Sequence, residues 1–164
     1  MKNNLTSHKI IAIDPGFERL GIAILERALD GKHIVVYSEC FKTSPKISFA
    51  ERLVLIGEKI ENIIEKHKPS ALSIEKLYLT NNQKTVMNVA EARGVVLYIA
   101  KRCNLDIFEY SPPQIKVAVT GYGKADKKMV MDMVRKLVKI DSKVKSDDEL
   151  DAIAIGLTML ACER

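Results

Sequence analysis

The sequence predicts an α/β domain in which a short antiparallel meander opens a mixed sheet and helices cover its faces. Three observations carry this. At 164 residues with 47% apolar side chains, the chain has the size of a single domain spanning 1–164, which should bury roughly 70% of its unfolded surface. Up to Phe41 it holds three apolar runs whose connections are too short for crossover helices. Beyond that point helical periodicities alternate with short apolar runs, in the order βββ-α-β-α-β-α-α-α.

Each element has a local reason. Lys9 to Ile13 is an apolar run that meets Asp14-Pro15-Gly16, a turn sequence, and Leu20 to Leu25 is the second run. Asp30-Gly31 separates it from the third, Ile34 to Phe41. Ser48 and Glu51 form a capping box for a helix with Leu53, Ile56, Ile60, Ile63 and Ile64 on one face, and Pro69 stops it. Ala71 to Ile74 reads as a buried strand with Glu75 at its carboxyl end. A helix over Gln83 to Cys103 and a strand over Asp106 to Tyr110 follow. Ser111-Pro112-Pro113-Gln114 combines a cap, a first-turn proline and a third-position glutamine, opening a short helix that Gly121 and Gly123 end. Two helices, Lys127 to Val138 and Asp148 to Cys162, complete the chain.

Composition narrows the function. The net charge of +5 resides entirely in Lys124 to Lys145, which holds eight basic residues against Asp126, Asp132 and Asp141; the rest of the chain is balanced. Such a stretch either attracts a polyanion or forms a solvated helix face. No apolar stretch approaches the ~20 residues that span a bilayer, and Met1 to Lys9 lacks the apolar core of a secretory signal. Cys40, Cys103 and Cys162 are odd in number and without CxxC spacing. The expectation is a cytoplasmic, reduced protein without structural zinc or membrane contact.

Four carboxylates stand out by position. Asp14 ends the first strand, Glu75 ends the fourth, and Asp148 and Asp151 share a face at the start of the last helix. Each has a structural reading as well: Asp14 suits a turn, and the helix pair suits the positive end of a helix dipole. If strands one and four are neighbours and the last helix crosses their ends, the four converge as an all-oxygen cluster of formal charge −4. Two Mg²⁺ would neutralise it, and the matching chemistry is phosphodiester hydrolysis, one ion activating a water and the other stabilising the leaving 3′ oxygen.

Five blocks carry a family resemblance: IAIDPGFERLGIAIL at Ile11 to Leu25, SIEKLY at Ser73 to Tyr78, EARGVV at Glu91 to Val96, EYSPPQIKVAVTGYGKADKKMV at Glu109 to Val130, and DDELDAIAIG at Asp147 to Gly156. In order and spacing they resemble the RuvC-type Holliday-junction resolvases, crossover junction endodeoxyribonucleases of the RNase H-like superfamily. The resemblance implies a mixed five-stranded sheet, three strands antiparallel and two parallel, with helices on both faces. It makes Asp14, Glu75, Asp148 and Asp151 the metal ligands. Asp147, one residue before the family position, is expected to cap the helix.

Lys116 and Lys127 match lysines that serve the phosphates beside the scissile bond. Tyr78 stands where the family usually has phenylalanine, and it reads either as a base-stacking ring, worth about 1 to 3 kcal/mol per base, or as a core aromatic. Lys84, Lys124 and Lys128 are expected backbone contacts, and Arg93 matches a recurring position with no role assigned. The first strand begins later than in the family, so residues 1–8 are expected to be a frayed extension, and the chain ends with its last helix.

The implied protein is a homodimer that nicks two like-polarity strands of a four-way DNA junction at symmetric positions in recombination and repair. It uses two Mg²⁺ per site, with Mn²⁺ as a substitute, and works beside a branch-migration motor. The helix from about Gln83 is the implied dimer contact. The cysteines, with His8, His33 and His67, are expected bystanders. Three other readings remain: an RNase H-like nuclease acting on ribosomal RNA precursors, a non-catalytic junction binder, and a phosphate-transferring ATPase. For the last, 164 residues are too few to close two domains over a nucleotide.

Overall fold

The computed structural model describes residues 9–28, 31–78, 83–140, 144 and 146–163; the expected extension 1–8 lies outside them. The elements are β1 (Lys9–Asp14), β2 (Arg19–Arg27), β3 (His33–Lys42), α1 (Phe49–His67), β4 (Ala71–Glu75), α2 (Gln83–Arg102), β5 (Asp106–Tyr110), α3 (Pro112–Thr120), α4 (Lys127–Leu137) and α5 (Asp147–Cys162). They form a five-stranded sheet in the order β3-β2-β1-β4-β5. β1, β2 and β3 pair antiparallel, and β1–β4 and β4–β5 pair parallel. The predicted order is therefore the observed one. The hairpin strands run longer than their apolar runs, because backbone pairing such as Arg19↔Lys42 and Arg27↔His33 needs no apolar side chain.

β1 and β2 are apolar on both faces because both faces are covered. On one, Ile11, Ile13, Ile22, Ile24, Leu72 and Ile74 meet Ile56, Ile60 and Ile64 of α1 and Val96 and Ile99 of α2. On the other, Ile10, Ala12, Ala23 and Leu25 meet Ile153 and Leu157 of α5, with α3 and α4 behind it. Small residues bring α5 close: a Cβ on Gly156 would lie 2.4 Å from Leu25 Cδ1 and 3.1 Å from Ala12 Cβ. Ser73, fully buried, donates its hydroxyl to the Ile155 carbonyl at 2.9 Å and ties helix to sheet. Among the described residues no helix is long and apolar enough to cross a membrane.

Candidate active site

The parallel register aligns Ile13 with Ile74, so Asp14 and Glu75, each one residue on, leave neighbouring strands at the same edge. In α/β sheets this carboxyl edge is where ligands gather. α5 reaches the same edge because its path is open at Gly21, the β2 partner of Asp14. A Cβ there would lie 2.2 Å from the Asp148 carbonyl oxygen and 3.1 Å from Asp14 Cβ. Glycine thus lets the first turn of α5, with Asp148 and Asp151, descend onto the strand ends.

Asp14, Glu75 and Asp151 line one cleft of about 240 Å³ together with Lys116 of α3 and Lys127 of α4, over a floor that includes Ile115, Val130 and Ala154. Burial, then the neighbouring Asp151, Glu75 and Asp148 charges, push the Asp14 carboxyl up to about 8, with Lys127 working against them. Glu75 is raised by burial and by Asp151. Asp151 is raised chiefly by burial, which outweighs its bond with Lys127; Lys127 Nζ lies 3.1 Å from Asp151 Oδ2 and 3.6 Å from Asp147 Oδ2. Burial disfavours the Lys127 ammonium, yet the two aspartates hold it above the usual lysine range.

Asp148 sits beside the cleft rather than on its wall. Its Oδ2 accepts from Arg19 Nε at 2.9 Å and from a second Arg19 nitrogen, from Ser146 Oγ at 3.2 Å and from Cys40 Sγ at 3.4 Å. Burial would raise this carboxyl, but these donors hold it below the ordinary carboxylate range. The four acids therefore share one end of the fold without closing into a single knot. Among the described residues no three acidic, histidine or cysteine side chains are gathered tightly enough to hold an ion. Arg19 and Lys127 each hold one aspartate, Asp148 and Asp151.

The set still fits a hard divalent cation. No described residue donates a hydrogen bond to the Asp14 or Glu75 carboxylate, although both lie against buried surroundings that disfavour their charge. Carboxylates in that condition call for a positive partner richer than one lysine.

Several expectations change. Asp147 does not cap α5; Ser146 does, accepting from the Glu149 amide, because a serine hydroxyl reaches back to the third amide while Asp147 already lies inside the helix and faces Lys127. Cys40 makes a structural contact, its thiol donating to Asp148. Tyr78 is 54% exposed, which removes the core reading. Lys116 lines the cleft beside Lys127. Lys124 and Lys128 are exposed outside the cleft, and Lys84 lines a separate groove beside Phe17 and Arg52.

Two positioning roles escaped the sequence reading, which named Arg93 without a role and passed over Arg19. Arg93 donates to the Glu75 carbonyl at 3.1 Å and pairs with Glu109, holding the end of β4 against α2 and β5. Arg19 orients Asp148 from 129 residues away. In sequence Arg19 stands between Glu18 and Leu20, and Arg93 between Ala92 and Gly94, with nothing local to name their partners.

The sequence matches the family described as crossover junction endodeoxyribonuclease RuvC over residues 10–159, a span that contains every acid of the cleft. This chain belongs to the RuvC family. A RuvC from Fusobacterium nucleatum is 40% identical over 150 residues, covering 92% of this chain and 78% of that protein. One from Petrotoga mobilis is 39% identical over 145 residues, covering 88% of each. Thermus thermophilus RuvC, solved in complex with Holliday junction substrate, superposes with a TM-score of 0.85 at 29% identity over 92% of each chain. The yeast mitochondrial Holliday junction resolvase Ydc2 shares the fold, with a TM-score of 0.70 at 14% identity over 94% of this chain and 78% of that one. The RuvC architecture here is thus the RNase H-like one: a mixed sheet, three strands antiparallel and two parallel, between two helical layers.

Proposed function

We propose that this chain resolves four-way DNA junctions by hydrolysing one phosphodiester in each of two like-polarity strands. The observation that carries the reading is the meeting of Asp14, Glu75 and Asp151 with Lys116 and Lys127 in one cleft, in a member of a family whose solved relative holds a Holliday junction. The lysines, both at the cleft wall, position the scissile phosphate by its non-bridging oxygens and offset its developing charge. Arg19 keeps Asp148 ionised, and the apolar floor strengthens every charge interaction above it.

Two Mg²⁺ held by Asp14, Glu75, Asp148 and Asp151 would supply water activation and stabilise the leaving oxygen, with Mn²⁺ as a substitute. The water oxygen joins phosphorus as the P–O3′ bond breaks, leaving a 5′-phosphate and a 3′-hydroxyl. Tyr78, exposed at the end of β4, offers a ring for an unpaired base, and Lys84, Lys124 and Lys128 offer backbone contacts.

Two nicks on a two-fold substrate call for two equivalent sites, hence a homodimer. α2 supports it: Met87, Glu91, Gly94 and Tyr98 lie on one exposed stripe, Met87 and Tyr98 are each 63% exposed, and among the described residues no atom outside α2 comes within 4 Å of a Cβ placed on Gly94. A branch-migration motor as partner and a nucleoid setting in a bacterial cytoplasm complete the reading. Asp14→Asn and Glu75→Gln are expected to lower cutting of a synthetic junction by more than about a hundredfold while junction binding by gel shift is kept. Undiminished cutting would remove these acids from the chemistry.

A further inference from the structure

A second groove opens on the α1–α2 face, near the Pro15–Glu18 turn that carries the chain away from Asp14. It has a volume of about 320 Å³, and its walls include Phe17, Glu18, Arg52, Lys84 and Asn88. Arg52 is 8% exposed, yet its guanidinium makes no hydrogen bond to any described residue. Its Nε is buried without a partner. Among the described residues its one ion-pair partner is the largely exposed Glu18, whose carboxylate lies 3.8 Å from NH1, beyond hydrogen-bond distance. The remaining contact is with the Phe17 ring, 5.9 Å from Cζ to centroid; that ring is held edge-on by Phe49 at 5.7 Å. A planar guanidinium fork is thus held by aromatic packing with its buried Nε unpaired and no hydrogen-bond acceptor among the described residues, a condition that costs stability unless an anion arrives.

We infer that this groove is a second phosphate seat, in which Arg52 and Lys84 grip a backbone phosphodiester of the DNA strand beside the one being cut. The guanidinium fork matches two phosphate oxygens, and Lys84 adds an exposed point charge from the first turn of α2. Phe17 is three residues from Asp14, so their Cα atoms are no more than about 11 Å apart. That closeness in the chain places the seat near the scissile bond, a few nucleotides away along the strand. Glu18 acts as a loose placeholder that the phosphate displaces.

The inference rests on the junction-nuclease reading, and its test separates the two. Junctions carrying a single neutral methylphosphonate at each position within four nucleotides of the cut are titrated with wild type, Arg52→Gln, Arg52→Lys and Lys84→Gln. The expected result is about tenfold weaker binding for Arg52→Gln on the ordinary junction and partial recovery in Arg52→Lys. At one methylphosphonate position wild type weakens about as much while Arg52→Gln loses nothing further, and Lys84→Gln shows the same non-additivity at that position. Glu18→Gln should bind more tightly than wild type, the opposite of what loss of a merely structural ion pair would do. Additive losses at every position overturn the seat, and Lys84→Gln, on an exposed surface, decides the matter even if Arg52→Gln does not fold. A wild type that neither binds nor cuts the junction would sink the junction reading itself.

Discussion

At the residue scale the decisive feature is a carboxylate that the fold makes expensive to ionise. Asp14 has its pKa raised from 3.8 to about 8 by burial and by three neighbouring acids. Because the folded value lies above the unfolded one, its contribution to stability is complete below about pH 4 and disappears as pH rises through about 8. In chelator, Asp14→Asn should therefore be more stable than wild type at pH 8, by about 1 to 3 kcal/mol, with the gap closing toward pH 4. Denaturant unfolding at the two pH values checks this. A less stable Asp14→Asn at pH 8 would mean the carboxylate is already well partnered. The acids themselves were legible in the sequence, because each stands at a strand end or helix start marked by an apolar run. Arg19, Arg93 and Arg52 were not: their partners, such as Asp148, Glu109 and Phe17, come from other elements, and no local pattern announces a contact formed by the fold.

At the element scale, α5 is the part that makes a site out of separate strands. Its approach depends on Gly21 and Gly156, where a methyl group would strike the Asp148 carbonyl or Leu25. Gly21→Ala is expected to displace the first turn of α5 and reduce cutting by about a hundredfold, with a smaller loss of stability of about 1 to 3 kcal/mol. Full activity in Gly21→Ala would show that α5 does not depend on this close approach. The elements themselves were readable because their signals are local: Ser48 with Glu51, Ser111 with Gln114, and Pro69 after α1. The start of α5 was misread by one residue, since Asp147 and Asp148 both resemble caps and only the backbone shows that Ser146 holds the position.

At the scale of the whole molecule, charge and exposure are segregated. One sheet edge carries the acidic cleft with its two lysines, and the outward stripe of α2 carries Met87, Gly94 and Tyr98. Gly94→Glu places a charge on that stripe without touching its own fold, since among the described residues no atom outside the helix lies near an added Cβ. Sedimentation should show wild type as a dimer and Gly94→Glu as a monomer, with single nicks replacing paired ones. A monomer that still makes paired nicks would contradict the two-site account. The most direct test of the whole is to cut an all-DNA mobile junction with Mg²⁺ and read each strand at nucleotide resolution. Nicks are expected at symmetric positions in two like-polarity strands, with 5′-phosphate and 3′-hydroxyl ends, absent in chelator and in Asp14→Asn. Cutting that persists in chelator, or that falls on one strand without a symmetric mate, would contradict that expectation.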